Sequence, residues 1–270
     1  MNTKLNQHLA DYYNQGNEDA RLTSRHGSVE FLTTMHYISR YAHADCRIAE
    51  IGAGTGRYSH ALGAAGYAVD AVELVDSNIK IFEQNKQDNT KVSIRQGNAL
   101  DLSMFADSTY NITLLLGPMY HLFTNSDKHR AIGEALRITK PGGIVFVAYC
   151  ISDASILHSG FVRKRFSVAE FIKNGYIDPK TFAASSEPAL VFELVRKEDI
   201  DRLMTGFSAT RLHYVATDGY AFHMKDAVDA MDDAEFDLFM QYHLAICERN
   251  DMVGLTAHAL DIFTKGEYYV

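Results

Sequence analysis

Short aliphatic segments alternate with stretches of helical spacing through the first 150 residues, and this alternation strongly constrains the fold. We predict strands at 47–51, 68–74, 91–96, 110–116 and 144–149. Between and before them, helices are predicted at 29–41, 58–65, 77–86 and 127–138, the last beginning near Asp127. Such an order indicates an α/β fold whose parallel sheet is covered on both faces and binds ligands beyond the carboxyl ends of its strands.

The remaining segments extend this core at both ends. Residues 1–45 are predicted to be largely helical, and 46–150 form the alternating core. Residues 151–206, with helical fragments, Gly175 and Pro179, are interpreted as an insertion after the fifth strand. Residues 207–270 are expected to complete the sheet through strands at 209–216 and 257–264 and a helix at 233–249.

Charge and cysteine usage exclude several classes of function. The chain has 26 Lys and Arg against 34 Asp and Glu, a net charge of -8 that disfavours binding to nucleic acid. The compact basic cluster at 163–165 is interpreted as a solvated face. The three cysteines lie far apart without a Cys-x-x-Cys pair, and the histidines show no ligand spacing, so neither disulfides nor a metal is predicted. A polar N-terminus and no long apolar run favour a cytoplasmic protein over a membrane protein.

A glycine-rich bend follows the first strand. Its glycines, at 52, 54 and 56, let a ligand approach the backbone closely. A dinucleotide fingerprint started at Gly52 would need a glycine where Arg57 stands, which disfavours NAD, and no Gly-Lys-Ser/Thr sequence supports a phosphate-binding loop. Glu50 would repel a pyrophosphate and attract an ammonium or a sulfonium.

Glu73 ends the second strand and is the predicted partner of a ribose. A carboxylate there can accept hydrogen bonds from both ribose hydroxyls. The alternatives are a helix-capping acid and an exposed surface glutamate.

Four segments together resemble the class I S-adenosylmethionine-dependent methyltransferases: 50–56, Glu73, 96–101 and 140–143. The resemblance, which covers 46–150, implies a three-layer Rossmann-like fold with a mostly parallel seven-stranded sheet and an antiparallel last strand. It implies S-adenosylmethionine as cofactor and S-adenosylhomocysteine as product. Asn98 stands where that family usually has an aspartate for the adenine amino group. The implied cofactor-binding residues are Glu50, Gly52, Ala53, Gly54, Gly56, Glu73, Leu74, Asn98, Ala99, Leu116 and Gly117.

Residues 116–122 resemble the Gly-Pro-x-Tyr-His-Leu stretch of a bacterial subgroup of these enzymes. They depart from the Asn/Asp-Pro-Pro-Tyr signature of enzymes that methylate DNA bases or protein glutamine. The N-terminal segment is similar to the subgroup's lid, in which a tyrosine and an arginine close over the methionine end of the cofactor. Tyr13 and Arg21 are the predicted lid contacts, with Tyr12 and Arg25 nearby.

His121 is the candidate general base, because it should lie beyond the fourth strand and imidazole titrates near neutral pH. The alternative is that it packs or hydrogen-bonds within its loop. Aromatic residues of the insertion line an acceptor pocket or form ordinary core; they are Phe161, Phe166, Phe171 and Tyr176. Tyr214, His223 and His243 reach the pocket or belong to the core.

The predicted function is therefore methyl transfer to a small-molecule acceptor (EC 2.1.1.-). The alternatives are methylation of protein or RNA, and a non-catalytic module that binds the cofactor or its product.

Overall fold

The computed structural model describes residues 24–266, which fold around one mixed sheet. The strands are β1 (Arg47–Ile51), β2 (Ala68–Glu73), β3 (Val92–Gln96), β4 (Tyr110–Leu115), β5 (Thr139–Ile151), β6 (Leu194–Val195), β7 (Ala209–Ala216) and β8 (His258–Lys265). The longer helices are α1 (Arg25–Tyr41), α2 (Arg57–Ala64), α3 (Asp76–Asn85) and α4 (Asn125–Ile138). The later helices are α5 (Ser152–Ser155), α6 (Val168–Lys173), α7 (Lys197–Met204), α8 (Gly219–His223), α9 (Lys225–Asp229) and α10 (Asp233–Ile246).

The sheet has the order β3-β2-β1-β4-β5-β8-β7. Strands β1 to β5 pair in parallel, whereas β8 is antiparallel to both β5 and β7. This topology confirms the predicted α/β fold, with a mostly parallel sheet and an antiparallel last strand. The two-residue strand β6 is an addition to the predicted seven.

Both faces of the sheet are buried, which explains the continuous aliphatic character of its strands. In β1, Ile48 packs into the hydrophobic core on one face, while Ala49 and Ile51 pack into the core on the other. Side chains of a strand alternate between faces, so the four residues after Arg47 in β1 are all buried although they point to both sides.

The structure moves two predicted boundaries. Strand β5 begins at Thr139, not at 144, because Thr139 pairs with Tyr110 and a register shift after that pair accommodates Gly142, whose φ is +72°. Helix α4 begins at Asn125, since the Thr124 hydroxyl accepts a hydrogen bond from the Asp127 N–H at 3.0 Å and caps the helix. Asp127 therefore lies inside the first turn.

The segment between β5 and β7 returns to the sheet above the ends of the parallel strands. Strand β6 pairs with Cys150 and Ile151, the last two residues of β5. It lies along the same edge of β5 as β4, which pairs with the earlier residues of that strand. Residues 188–195 are thereby held over the carboxyl edge of the sheet, which is the edge where ligands of such folds bind.

Candidate active site

A cavity of about 870 Å³ lies beyond the carboxyl ends of the parallel strands. Eleven of the residues predicted from the sequence contribute to its lining: Glu50, Gly52, Ala53, Gly54, Glu73, Leu74, Asn98, Ala99, Leu116, Gly117 and His121. Residues far apart in the chain thus meet in one place, because parallel strands present all their carboxyl ends at the same edge.

The glycine bend adopts a backbone that other residues rarely accept. The φ angles of Gly52, Gly54 and Gly56 are +77°, +56° and +93°. A Cβ on Gly52 would lie 2.5 Å from Cδ of Pro118, whereas a Cβ on Gly54 would meet nothing within 4 Å. The space beside Gly54 therefore belongs to the cavity.

Gly56 has a packing role at the start of α2. It does not line the cavity; it begins α2, and a Cβ there would collide with the rings of Phe82 and His60. The third glycine is needed for close packing of α2 against α3, and a contact of Gly56 with the cofactor stays a prediction.

Glu73 holds the bend against the second strand. Its carboxylate accepts hydrogen bonds from the backbone N–H of Gly54 at 2.9 Å and of Val75 at 2.8 Å. Val75 is the N-cap of α3, so the capping interpretation holds in part. Only 6% of Glu73 is exposed, which excludes a surface glutamate. Two fixed donors orient the carboxylate at the cavity wall.

Glu50 is a buried acid at the mouth of the bend. The Ser59 hydroxyl donates a hydrogen bond to it. The pKa of Glu50 is raised to about 7: burial is the main cause, hydrogen bonds from Ser59 oppose it, and the nearby carboxylate of Glu73 adds to it. A cation bound in the cavity would favour the ionised form of this acid.

Asn98 and Ala99 line the cavity just after β3, the strand beside β2. The Asn98 side-chain oxygen accepts a hydrogen bond from the Leu100 N–H at 2.9 Å. A carbonyl oxygen has two lone pairs, so this turn leaves capacity for one further donor. Leu100 and Asp101 also line the cavity and were not among the predicted residues.

His121 ends the short 3₁₀ helix Pro118–His121 and contacts the inserted segment. Its Nδ1 donates a hydrogen bond to the Val191 carbonyl at 2.8 Å, and its ring lies 5.4 Å from that of Phe192. A carbonyl only accepts, so Nδ1 carries the proton and a neutral His121 has its basic lone pair on Nε2. The histidine therefore both hydrogen-bonds locally and lines the cavity.

The inserted segment contributes other residues than those predicted. Pro188 and Phe192 line the cavity, whereas none of the four named aromatic residues does: Phe161, Phe166, Phe171 and Tyr176. The ring of Phe171 contacts those of Phe166 and Tyr176, and Phe161 is 54% exposed, so the structure gives no support to the acceptor-pocket interpretation of these residues. The basic residues 163–165 are exposed, as a solvated face should be.

Several predicted contacts fall elsewhere. Tyr12, Tyr13 and Arg21 lie outside the described residues. Arg25 pairs with Asp233 at 2.6 Å and does not line the cavity. Tyr214, His223 and His243 do not line it either.

Glu30, Thr217 and His258 line the cavity and were not predicted. They come from α1, from the residue after β7 and from the start of β8. No local sequence motif joins these positions. Only the order and direction of the strands in the folded sheet show that they line the same cavity.

Comparisons with known proteins agree with this geometry. Residues 49–147 match the family described as a methyltransferase domain. A demethylmenaquinone methyltransferase from Clavibacter sepedonicus is 28% identical over 116 residues, which cover 43% of this chain and 46% of the relative. The match thus spans about half the length of that relative.

Solved structures share the fold at low identity. An S-adenosylmethionine-dependent methyltransferase from Methanosarcina mazei is 18% identical with a TM-score of 0.56, and the match covers 86% of this chain and 98% of that one. The CcbJ methyltransferase from Streptomyces caelestis is 13% identical with a TM-score of 0.60, covering 96% of both chains. The family match supports a methyltransferase domain with S-adenosylmethionine as its cofactor, and the solved structures share its Rossmann-like fold. The bacterial subgroup stays a prediction.

Proposed function

We propose that this protein is an S-adenosylmethionine-dependent methyltransferase that acts on a small-molecule acceptor. One observation carries the proposal. The glycine bend and two buried acids, Glu50 and Glu73, share a cavity with other lining residues, which include His121, Phe192 and His258. One part of the cavity thus suits a cationic nucleoside, and another part is left for an acceptor.

The cofactor's parts fit distinct residues of this cavity. Glu73 would bind the ribose hydroxyls, while Asn98 and Ala99 would contact the adenine. Glu50 and the open space at Gly54 would hold the cationic amino-acid end. Leu116 and Gly117 would lie near the sulfur, in the wall after β4. When bound, S-adenosylmethionine supplies an activated methyl group on a positively charged sulfur.

The surroundings of the cavity favour a small acceptor over a nucleic acid. Within 24–266, Arg57 and Arg130 are the arginines that line it and no lysine does so, whereas the lining includes the acids Glu30, Asp101 and Asp127. Phosphate backbones require basic tracks. The Clavibacter sepedonicus relative, named for a quinone, adds support for a small acceptor.

His121 is proposed as the residue that takes the acceptor's proton. Its protonated Nδ1 is fixed by the Val191 carbonyl, and this hydrogen bond orients the imidazole in the cavity wall. The enzyme otherwise contributes alignment and exclusion of water, which are the main needs of an in-line displacement.

The domain division belongs to the same proposal: a lid at 1–45, a cofactor core at 46–150, a cap at 151–206 and a completing segment at 207–270. A cytoplasmic location is proposed with it. No helix in the described part of the chain has the length and apolarity to cross a bilayer.

Thermal unfolding with S-adenosylmethionine, S-adenosylhomocysteine or NAD tests cofactor choice. A ligand that binds only the folded state raises the midpoint, so the two sulfur nucleosides should stabilise the protein and NAD should not. Incubation with methyl-labelled cofactor and small metabolites then tests transfer. Cofactor binding without labelled product from any acceptor would favour the non-catalytic module.

A further inference from the structure

Three charged side chains meet in the acceptor part of the cavity. Nδ1 of His258 lies 2.8 Å from an Asp218 carboxylate oxygen and 3.4 Å from a Glu30 carboxylate oxygen. His258 begins β8 and pairs with Cys150 at the end of β5, while Asp218 follows the end of β7. Because β8 runs antiparallel to β5, its first residue, His258, lies at the edge of the sheet where the parallel strands end.

Asp218 is held rigidly in the ionised form. Its Oδ1 accepts hydrogen bonds from the Thr256 hydroxyl at 2.6 Å and from the Ala257 N–H at 2.8 Å. Its other oxygen faces His258 at 2.8 Å. A carboxylate that accepts from several donors stays charged. Nδ1 of His258 therefore carries a proton, and this N–H donates a hydrogen bond to Asp218.

His258 is also held in the cationic form. Burial opposes its charge, but the carboxylates of Glu30 and Asp218, together with a hydrogen bond to the Cys150 thiol, outweigh burial and keep the pKa of His258 well above the usual histidine range. Groups near the cluster also include the Tyr120 ring, at 5.9 Å from the His258 ring, and His243, which faces Asp218. Both nitrogens of an imidazolium are donors, and one is already used by the carboxylates.

Several apolar and aromatic side chains line the cavity together with the cluster. Tyr120, Phe192, Ala148 and Leu260 line the same cavity as Glu30 and His258. Such a lining fits a flat apolar molecule that carries one polar group. The second N–H of an imidazolium donates most strongly to an oxygen that bears negative charge.

We propose that Asp218 and Glu30 hold His258 as an imidazolium that binds the acceptor's hydroxyl oxygen as an anion, so that the acceptor is a phenol or an enol. This inference rests on the proposed function. His258 is the acceptor-binding residue, and Asp218 is a positioning residue that acts through it. When the acceptor's O–H bond breaks, the proton passes to His121 and the negative charge stays on oxygen beside His258. Attack on the methyl group starts from this anion, and the electron pair of the broken S–CH₃ bond stays on sulfur.

para-Nitrophenol, which is yellow only as the phenolate, is a direct probe of this site. The protein is loaded with S-adenosylhomocysteine, and the pKa of the bound phenol is measured by absorbance over a pH series. We expect binding to lower that pKa by about 1 unit or more, as an adjacent cation does. In His258→Gln the decrease should disappear, and in Asp218→Asn it should shrink, while the affinity for S-adenosylhomocysteine stays within about twofold.

His26→Gln is the matched control. His26 forms the same kind of pair with Asp229, at 2.7 Å, and does not line the cavity. This variant should keep the full decrease in the phenol's pKa.

Each contrary result has a separate meaning. The inference is overturned if para-nitrophenol does not bind the wild-type complex, or binds with an unchanged or raised pKa; neither result depends on the folding of a variant. If the pKa of bound para-nitrophenol falls only when Mn²⁺ is added, and the fall is lost with EDTA, the inference is overturned in favour of a metal centre at the same three residues. Failure of wild-type protein to bind S-adenosylhomocysteine would instead remove the proposed function itself.

Discussion

The backbone N–H of Gly54 donates a hydrogen bond to the Glu73 carboxylate at 2.9 Å. This contact joins the bend after β1 to the end of β2, nineteen residues apart in the chain. The same carboxylate accepts from Val75 at the start of α3. One acid therefore fixes two walls of the cavity before any ligand contacts it.

Replacement of Glu73 by Ala should weaken binding of S-adenosylhomocysteine about 10- to 150-fold. This range corresponds to the loss of about 1.5–3 kcal/mol, which hydrogen bonds to a charged acceptor contribute. Titration calorimetry measures the change. Asp76→Asn is the control, because Asp76 is exposed and pairs with Lys80 at 2.6 Å. Equal affinities for wild type and Glu73→Ala would contradict the ribose role.

Alanine at Gly52 and at Gly54 should have different effects. Both positions have positive φ, which costs about 1–2 kcal/mol for a residue with a Cβ. Only the Cβ at Gly52 also collides with Pro118, so urea unfolding should show Gly52→Ala to be the less stable variant. Gly54→Ala should mainly weaken cofactor binding, since its Cβ enters the cavity. Equal stability of the two variants would argue against the collision.

Binding of S-adenosylmethionine should strengthen as pH rises through about 7, the pKa to which burial raises Glu50. Below that pH the acid is neutral, and the affinity should fall by up to about tenfold per pH unit. Glu50→Gln should bind weakly at every pH. Ser59→Ala should move the transition upward, because the Ser59 hydroxyl stabilises the carboxylate. A flat pH profile in the wild type would rule out this coupling.

Without ligand, Glu50 should have the opposite effect on stability. Its pKa is raised in the folded state, so the folded protein binds more protons than the unfolded chain between the ordinary glutamate pKa and about 7. The contribution to the free energy of unfolding is full below this window and is lost as pH rises through it. Urea unfolding of wild type and Glu50→Gln over this pH range isolates the effect.

His121→Ala should lower turnover about 10²- to 10⁴-fold, the usual contribution of a general base, with little loss of cofactor affinity. Steady-state rates and calorimetry separate the two quantities once an acceptor is known. His129→Ala is a suitable control, because His129 contacts Phe207 and does not line the cavity. A mutant with undiminished turnover across neutral pH would remove the base assignment.

Local patterns were sufficient to place several strands. Strands β1 and β7 have the predicted bounds. In β1 an aliphatic run between turn residues identifies a strand buried on both faces, whereas β7 lies in the antiparallel part of the sheet and is only partly buried. The fifth strand was predicted to begin at 144, after Gly142 and Gly143, yet both glycines lie within β5 beside a register shift. Pairing with β4 decided this point, and pairing is not a local property.

The sequence by itself determined the glycine bend, its two acids and the strands that carry them, since each depends on residues adjacent in the chain. Only the tertiary structure decided that Gly56 packs against Phe82, that Phe192 covers the cavity, and that Glu30, Asp218 and His258 meet. The physical reason is separation along the chain. Residues as far apart as Glu30 and His258 come together through sheet order and strand direction, which arise from burial of the whole core.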